Sequence, residues 1–420
     1  MMAVLQLAWK SLLNRRFTAL ITIFTIALSV ALLLGIERLR HDARQGFANT
    51  ISGTDLLVGA RSGPTQLLLY SVFHIGNATN NISWKTYKEL SQHRKIAWTV
   101  PISLGDSHAG YRVIGTTQGF YEHYRYAGKR NLAFAQGRPF KDVFDVVLGS
   151  EVAKKLEYRI GDEITLAHGA GKVNLIKHDD KPFRVVGILG PSGTPVDRSL
   201  QVHLHGIEAI HKDWFAGSPI PGVRFDAERV RNMDLTPKTI TAFLVGLKSR
   251  IATFRVQRDI NEFATEPLLA ILPGAALAEL WEMMAVAENA LLVISVMVVV
   301  VGLTGMLTVL LTSLNERRRE MAILRSLGAR PGQVFALVIG EASAISLIGL
   351  LAGILLLYLG IAGLRPWLET EFNLFISLGL PSHRELGLML LVWLSGTLIG
   401  LIPAQRAYRN SLADGLTIRV

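Results

Sequence analysis

Four long stretches without a single charged residue constrain this chain more than anything else in it: Phe17–Ile36, Ala290–Leu314, Ala342–Leu364 and Leu386–Ala404. A helix needs about 20 predominantly apolar residues to cross the hydrocarbon core of a bilayer. Lipid offers the backbone no water, so each run must satisfy its own N–H and C=O groups as a helix. The chain is therefore expected to cross a membrane four times. Composition agrees: of 420 residues 50% are hydrophobic and only 18% charged, against about 25% charged in an ordinary soluble domain, and the mean hydropathy is +0.34. The first run exceeds the apolar core of a secretory signal, typically about 7–15 residues, and no small-residue cleavage site follows it, so it reads as an anchor.

The spacing of the runs is uneven, one and then three, with residues 37–288 between the first and the second. Long loops cross a membrane largely regardless of charge, so the short flanks set orientation. Lys10, Arg15 and Arg16 precede span one, Arg317, Arg318, Arg319, Arg325 and Arg330 follow span two, and Arg406, Arg409 and Arg419 follow span four. Glu279, Glu282 and Glu288 precede span two, and between spans three and four Glu369, Glu371 and Glu385 stand against Arg365 and Arg384. The basic flanks fall on one side, which the positive-inside rule assigns to the cytoplasm. Both termini are expected inside and the large domain outside, in the inner membrane of a bacterium. The net charge of +11 is then largely a topology signal and calls for no nucleic acid. The absence of cysteine fits an oxidising compartment without a disulfide framework.

The expected fold class is a membrane α-helical protein, four transmembrane helices arranged one plus three, with a large extracytoplasmic α+β domain. The expected segments are a cytoplasmic interfacial helix at 1–16, span one at 17–36, the outer domain at 37–288, span two at 289–314, a cytoplasmic segment at 315–332, span three at 333–364, an outer loop at 365–385, span four at 386–408 and a tail at 409–420. In the first of these, Trp9 and apolar residues precede the late basic ones, the pattern of a helix lying on a leaflet. Within the outer domain, DLLVGA, IAWTVPISLG, YRVIGTT, DVVL, EITLAHG, FRVVGIL, LQVH and ITAFLVGL read as strands, while TYKELSQH, SEVAKKL, the residues after LQVH, and IATFRVQRDINEFA read as helices. The later segments are expected to return to the lobe in which the domain began.

The stretch LTSLNERRREMAILRSLGARPGQV at 311–334 sets three consecutive arginines between two oily runs. Topology alone explains the charge but not the pattern. Met321, Ile323, Leu324 and Leu327 interleave with charged residues, Gly328 is placed to end a helix, and Pro331 to open the next. A charged helix with an apolar stripe, too amphipathic to be a mere turn, is expected to meet a partner in the cytoplasm.

This stretch resembles the signature of FtsX-like, MacB-type ABC transporter permeases, a mechanotransmission family that includes lipoprotein-releasing permeases. The matching residues are Arg317, Arg319, Glu320, Leu324, Arg325, Gly328 and Ala329. WKSLLNRRFTALITIFTIALSVAL is similar to the family's first span, GRPFKDVFDVVLGSEVAKKLEYRIGDEITL to its outer domain, and IPAQRAYRNSLADGLTIR to its exit from span four. The resemblance implies a coupling helix that docks on a cytoplasmic ABC ATPase, here through Glu316, Arg317, Arg319, Glu320, Met321, Leu324, Arg325 and Gly328. It also implies a homodimer or a heterodimer with a related permease, and a periplasmic adaptor, carrier or binding protein. No G-x-x-x-x-G-K-[ST] loop occurs in these residues. No cofactor is therefore expected on them, and ATP and Mg are expected on the partner ATPase. This makes the chain a non-catalytic subunit serving export, extraction or other work on the outer side. A cargo-free regulator of a periplasmic enzyme such as a cell-wall hydrolase is the second reading, and a part in metal (zinc) handling the third.

Smaller patterns bear on these readings. Gly349-x-x-x-Gly353 and Gly396-x-x-x-Gly400 are spaced for close helix approach in a membrane. Glu341 falls early in span three, where an ionisable residue is either functional or paired at the interface. His203 and His205 alternate on an expected strand, His211 follows, and His178 sits beside Asp179 and Asp180. His203, His205 and His211 are the candidate metal ligands, with solvated polar residues on a strand edge as the alternative. No G-x-S-x-G elbow supports a hydrolase.

Overall fold

The run LLVGA at 56–60 is buried at every position, which requires a strand covered on both faces. In the computed structural model, residues 16–169, 178–215, 218–220, 225–316, 321, 325–326, 328–371 and 378–409 are described. The expected interfacial helix and C-terminal tail fall outside them, apart from Arg16 and Arg409. The chain forms two units, Met1–Ala43 with Met284–Val420, and Arg44–Met283.

The second unit is built on a sheet of eleven strands among the described residues. In chain order they are β1 (Leu56–Ala60), β2 (Ile96–His108), β3 (Tyr111–Thr116), β4 (Phe134–Gly137), β5 (Asp145–Leu148), β6 (Glu163–Ile164), β7 (Ala167–His168), β8 (Phe183–Leu189), β9 (Ser199–His203), β10 (Ala242–Leu247) and β11 (Leu268–Ile271). Their order across the sheet is β11-β1-β10-β2-β3-β9-β5-β8-β4, with β7 added to β2 and β6 to β8. The late strands do return to the start of the domain: β1 lies between β10 and β11, with Leu57 opposite Leu244 and Ile271. Two-residue alternation explains the buried runs. Leu57, Ala242 and Leu244 face one core, while Leu56, Val58, Phe243 and Val245 face another with Val256 and Ile260 of α1 (Thr253–Asn261). A third core gathers Val146, Leu148, Val185, Leu200 and Val202 with Ala209 and Ile210 of the helix Leu204–Ile210. Two strands were not expected from the sequence, β4, FAQG, and β11, LLAI.

The first unit is a bundle of the apolar helices Arg16–Thr50, Pro273–Glu316 and Pro331–Glu371, with His383–Ile399 continued by Leu401–Arg409. Four segments in it are long and apolar enough to cross a membrane. Ile26, Val30, Leu33 and Leu34 on the first helix meet Val299, Leu303, Met306 and Leu310 on the second and Ala342, Ile345 and Leu357 on the third. These i, i+4, i+7 stripes form the inner face. The outer faces are equally apolar: Leu20, Phe24, Leu28 and Leu32 repeat every four residues at 40–62% exposure. A helix oily on both its packed and its open face suits lipid, not water.

The four glycines of the small-x-x-x-small pairs lie at contacts within this bundle. A Cβ on Gly353 would sit 2.7 Å from the Ala27 carbonyl oxygen and 2.7 Å from Val30 Cβ, and one on Gly349 2.7 Å from Ile26 Cγ2. One on Gly396 would collide with Ser346 Oγ and one on Gly400 with Ala342 Cβ. Span three is thus seated on span one, and span four on span three, by missing side chains.

Candidate functional site

At one end of the bundle the segment after span two folds against its own chain. Glu316 is the last described residue of the second helix. Arg317, Arg319, Glu320 and Leu324 lie outside the described residues. Met321 is described, and it is 8% exposed. Its side chain packs with Leu314, Val334, Val338, Ala404 and Ala407, so it joins the ends of spans two, three and four. The sequence places Met321 on the apolar stripe of the expected coupling helix; in the structure that side chain is buried against the ends of the neighbouring spans. Gly328 has φ +98°, a left-handed conformation that carries almost no penalty for glycine alone. Its N–H donates to the Arg325 carbonyl at 3.1 Å. The Arg330 N–H donates to Gln333 Oε1 at 2.9 Å as Pro331 opens the third helix. Glu341 is 6% exposed, inside the bundle.

The opposite end of the bundle holds an ionic cluster that sequence reading credits only to flank charge. Arg38 Nε is 3.2 Å from Glu385 Oε1 with both side chains 5% exposed. Arg40 Nε is 2.8 Å from Glu288 Oε2, and Arg384 Nη1 is 3.4 Å from Glu37 Oε1. Span one is thereby tied to the starts of spans two and four.

In the sheet domain the histidines are arranged differently from the expectation. His203 ends β9, and its Nδ1 accepts the His205 N–H at 3.1 Å, capping the helix Leu204–Ile210. Burial, then the nearby His205, lowers the His203 pKa. The His203 and His205 rings lie 4.7 Å apart at the start of the helix that carries His211 at its far end, and neither is among the residues that cluster with His211.

His211, at the other end of that helix, lies instead with Asp106, His168 and His178, whose ligand atoms all fall within 4.8 Å of one another. His168 is directly opposite Asp106 in the β7–β2 register. A bulge in β2 between Leu104 and Ser107 leaves the consecutive polar residues Asp106 and Ser107 both buried. His168 Nδ1 is 3.3 Å from Asp106 Oδ1 and 3.2 Å from His211 Nε2, and His211 Nε2 is 3.5 Å from Asp106 Oδ1. His211 Nδ1 is 2.8 Å from the Ile207 carbonyl. A carbonyl only accepts, so Nδ1 carries the proton and the Nε2 lone pair faces the cluster. His178 is 1% exposed, its ring 4.4 Å from that of Trp214. Neither of its ring nitrogens has a hydrogen-bond partner among the described residues. Burial, then the neighbouring His211, pushes its pKa down to about 4. The hydrogen bond to Asp106 raises that of His168. Buried Lys181 ties the His178 segment to the Trp214 turn, with Nζ 2.8 Å from Asp213 Oδ2 and 2.6 Å from Asp180 Oδ2.

A bundle apolar on both faces together with this sheet domain defines the class, a membrane permease with an extracytoplasmic domain. The model of the MacB-like periplasmic core domain matches residues 19–262, and that of the FtsX-like permease C-terminal region matches residues 292–412. The chain belongs to the family of FtsX-like permeases with a MacB-like periplasmic core, and is an inner-membrane protein with a periplasmic domain. It is similar to the pyoverdine export ATP-binding/permease protein PvdT of Pseudomonas syringae pv. tomato, at 23% identity over 98% of this chain and 59% of that protein. It is also similar to a probable export ATP-binding/permease protein MacB of Pseudomonas entomophila, at 22% identity over 98% of this chain and 58% of that protein. The chain thus spans little more than half the length of these relatives, whose names join ATP-binding and permease functions. The periplasmic region of MacB from Actinobacillus actinomycetemcomitans matches at 14% identity and a TM-score of 0.34, over 55% of this chain and 94% of that one.

Proposed function

We propose that this chain is the membrane subunit through which an ABC ATPase, a separate cytoplasmic subunit, drives export or extraction of a substrate on the periplasmic side. The observation that carries this reading is the Met321 cluster. It joins the segment after span two to spans three and four, so a displacement of residues 315–332 is felt by packed helices and not absorbed by a loose turn. Closely packed elements move as units between discrete arrangements. In this account ATP-driven closure of the ATPase shifts the bundle end, and the glycine contacts pass the shift between spans three, one and four. The buried faces of the spans are mostly Ile, Leu, Val and Met, with Glu341 and hydroxyls such as Ser29, Ser295 and Ser346 among them, a predominance that favours work at the periplasmic domain over passage through the bilayer centre. The working unit in this reading is a dimer of permeases with two ATPase subunits and a periplasmic adaptor or carrier.

Co-expression with its ABC ATPase and reconstitution in nanodiscs tests the proposal. The complex should co-purify, and the permease should raise ATP turnover. Reversing Arg317 and Arg319 to Glu should abolish the stimulation while leaving membrane insertion intact. An ATPase indifferent to the permease and to the reversal would contradict the reading.

A further inference from the structure

We propose that Asp106, His168, His178 and His211 form a binding site for a divalent transition metal, zinc foremost, in the periplasmic domain. Structural zinc is held by four protein ligands at the corners of a tetrahedron, with metal–ligand bonds of about 2.0–2.2 Å and hence ligand–ligand edges of about 3.3–3.5 Å. The three distances among His168 Nδ1, His211 Nε2 and Asp106 Oδ1 are 3.2, 3.3 and 3.5 Å, which is one face of such a tetrahedron without a metal to impose it. His178 supplies the fourth corner. All four ligand atoms lie within 4.8 Å of one another, so metal binding needs only a small contraction of the set.

The donor chemistry points the same way. Imidazoles with one carboxylate suit zinc and its neighbours, whereas calcium and magnesium take oxygen ligands. The hydrogen bond from His211 Nδ1–H to the Ile207 carbonyl fixes ring and tautomer as an outer-shell partner of a metal-bound histidine does. A buried imidazole with neither nitrogen paired is costly unless something binds it, and His178 is in that position among the described residues. The ammonium of Lys181 is held by Asp180 and Asp213 and is not among the four. His168, with its side chain 41% exposed, gives an ion a way in. The bound metal would staple β2, β7, the segment before β8 and the end of the helix Leu204–Ile210, a stabilising role that stands independently of the transport reading.

The test uses the full chain, purified in detergent without a histidine tag and stripped with a chelator. Titrated with zinc chloride, it should take up one tightly held zinc per chain, and zinc should raise its unfolding temperature. Cobalt(II) should give the intense visible absorption of a four-coordinate ion. His178→Ala with His211→Ala, and separately Asp106→Asn, should weaken zinc binding at least tenfold and remove the thermal shift. His203→Ala with His205→Ala should change neither. Near-ultraviolet circular dichroism of the metal-free variants, matching the metal-free parent, keeps loss of folding from standing in for loss of the site. The proposal is overturned if the parent binds no zinc beyond the His178/His211 variant, or if the His203/His205 variant loses the metal instead.

Discussion

Arg38 of span one and Glu385 of span four form an ion pair, Nε to Oε1 3.2 Å, with both side chains 5% exposed. The same guanidinium donates to the Gly379 carbonyl at 2.7 Å and lies 5.0 Å from the Tyr358 ring centre, and the Tyr358 hydroxyl donates to that carbonyl at 2.8 Å. Glu385 also completes a capping box with Ser382. Removing one member of a buried pair leaves the other charge uncompensated and costs about 3–5 kcal/mol, whereas replacing both with apolar groups is often close to neutral. Glu385→Gln is therefore expected to lower the unfolding temperature of the detergent-purified protein more than the double change Arg38→Met with Glu385→Met. A double variant that lowers it as much as Glu385→Gln, or more, would show that the pair is not coupled.

Gly353 offers a sharper test of bundle packing. An added methyl meets the Ala27 carbonyl and Val30 at 2.7 Å, while one on Gly363 of the same helix meets nothing within 4 Å. Overpacking costs about 1–3 kcal/mol, and Gly→Ala in an open helical position gains roughly 0.5–1 kcal/mol. Thermal unfolding should show Gly353→Ala destabilised and Gly363→Ala unchanged or slightly stabilised. Equal effects would remove the close approach of spans one and three from the account.

Met321 separates packing from docking. Met321→Asp puts a carboxylate among Leu314, Val334 and Ala404, and should lower both the unfolding temperature and ATPase stimulation. Met321→Leu conserves volume, costs less than about 1.5 kcal/mol, and should retain both. Loss of stimulation by Met321→Asp at an unchanged unfolding temperature would mean that the side chain faces the ATPase after all.

The fold was legible where a local rule suffices. Charge-free runs announce the spans, and alternation in AFLVGL announces a strand, since Phe243 and Leu244 fill different cores. The metal cluster was not legible, because Asp106 and His168 become neighbours only through the pairing of β7 on β2. His203 and His205 offered a more visible spacing, but the chain turns from strand to helix between them and spends the His203 ring on a cap. The packing of Met321 against the span ends was not legible either, because an amphipathic stripe does not say whether its partner is another protein or the neighbouring spans.

The central claim is that residues 315–332 and the sheet domain work from opposite sides of the membrane. The chain has no cysteine, so single cysteines report cleanly. Ser107 is a poor reporter, being 1% exposed, but Ser249 and Ser326 are both exposed. In intact spheroplasts a membrane-impermeant maleimide should label Ser249→Cys and leave Ser326→Cys unlabelled until the membrane is opened. Labelling of Ser326→Cys from outside, with Ser249→Cys protected, would contradict the account.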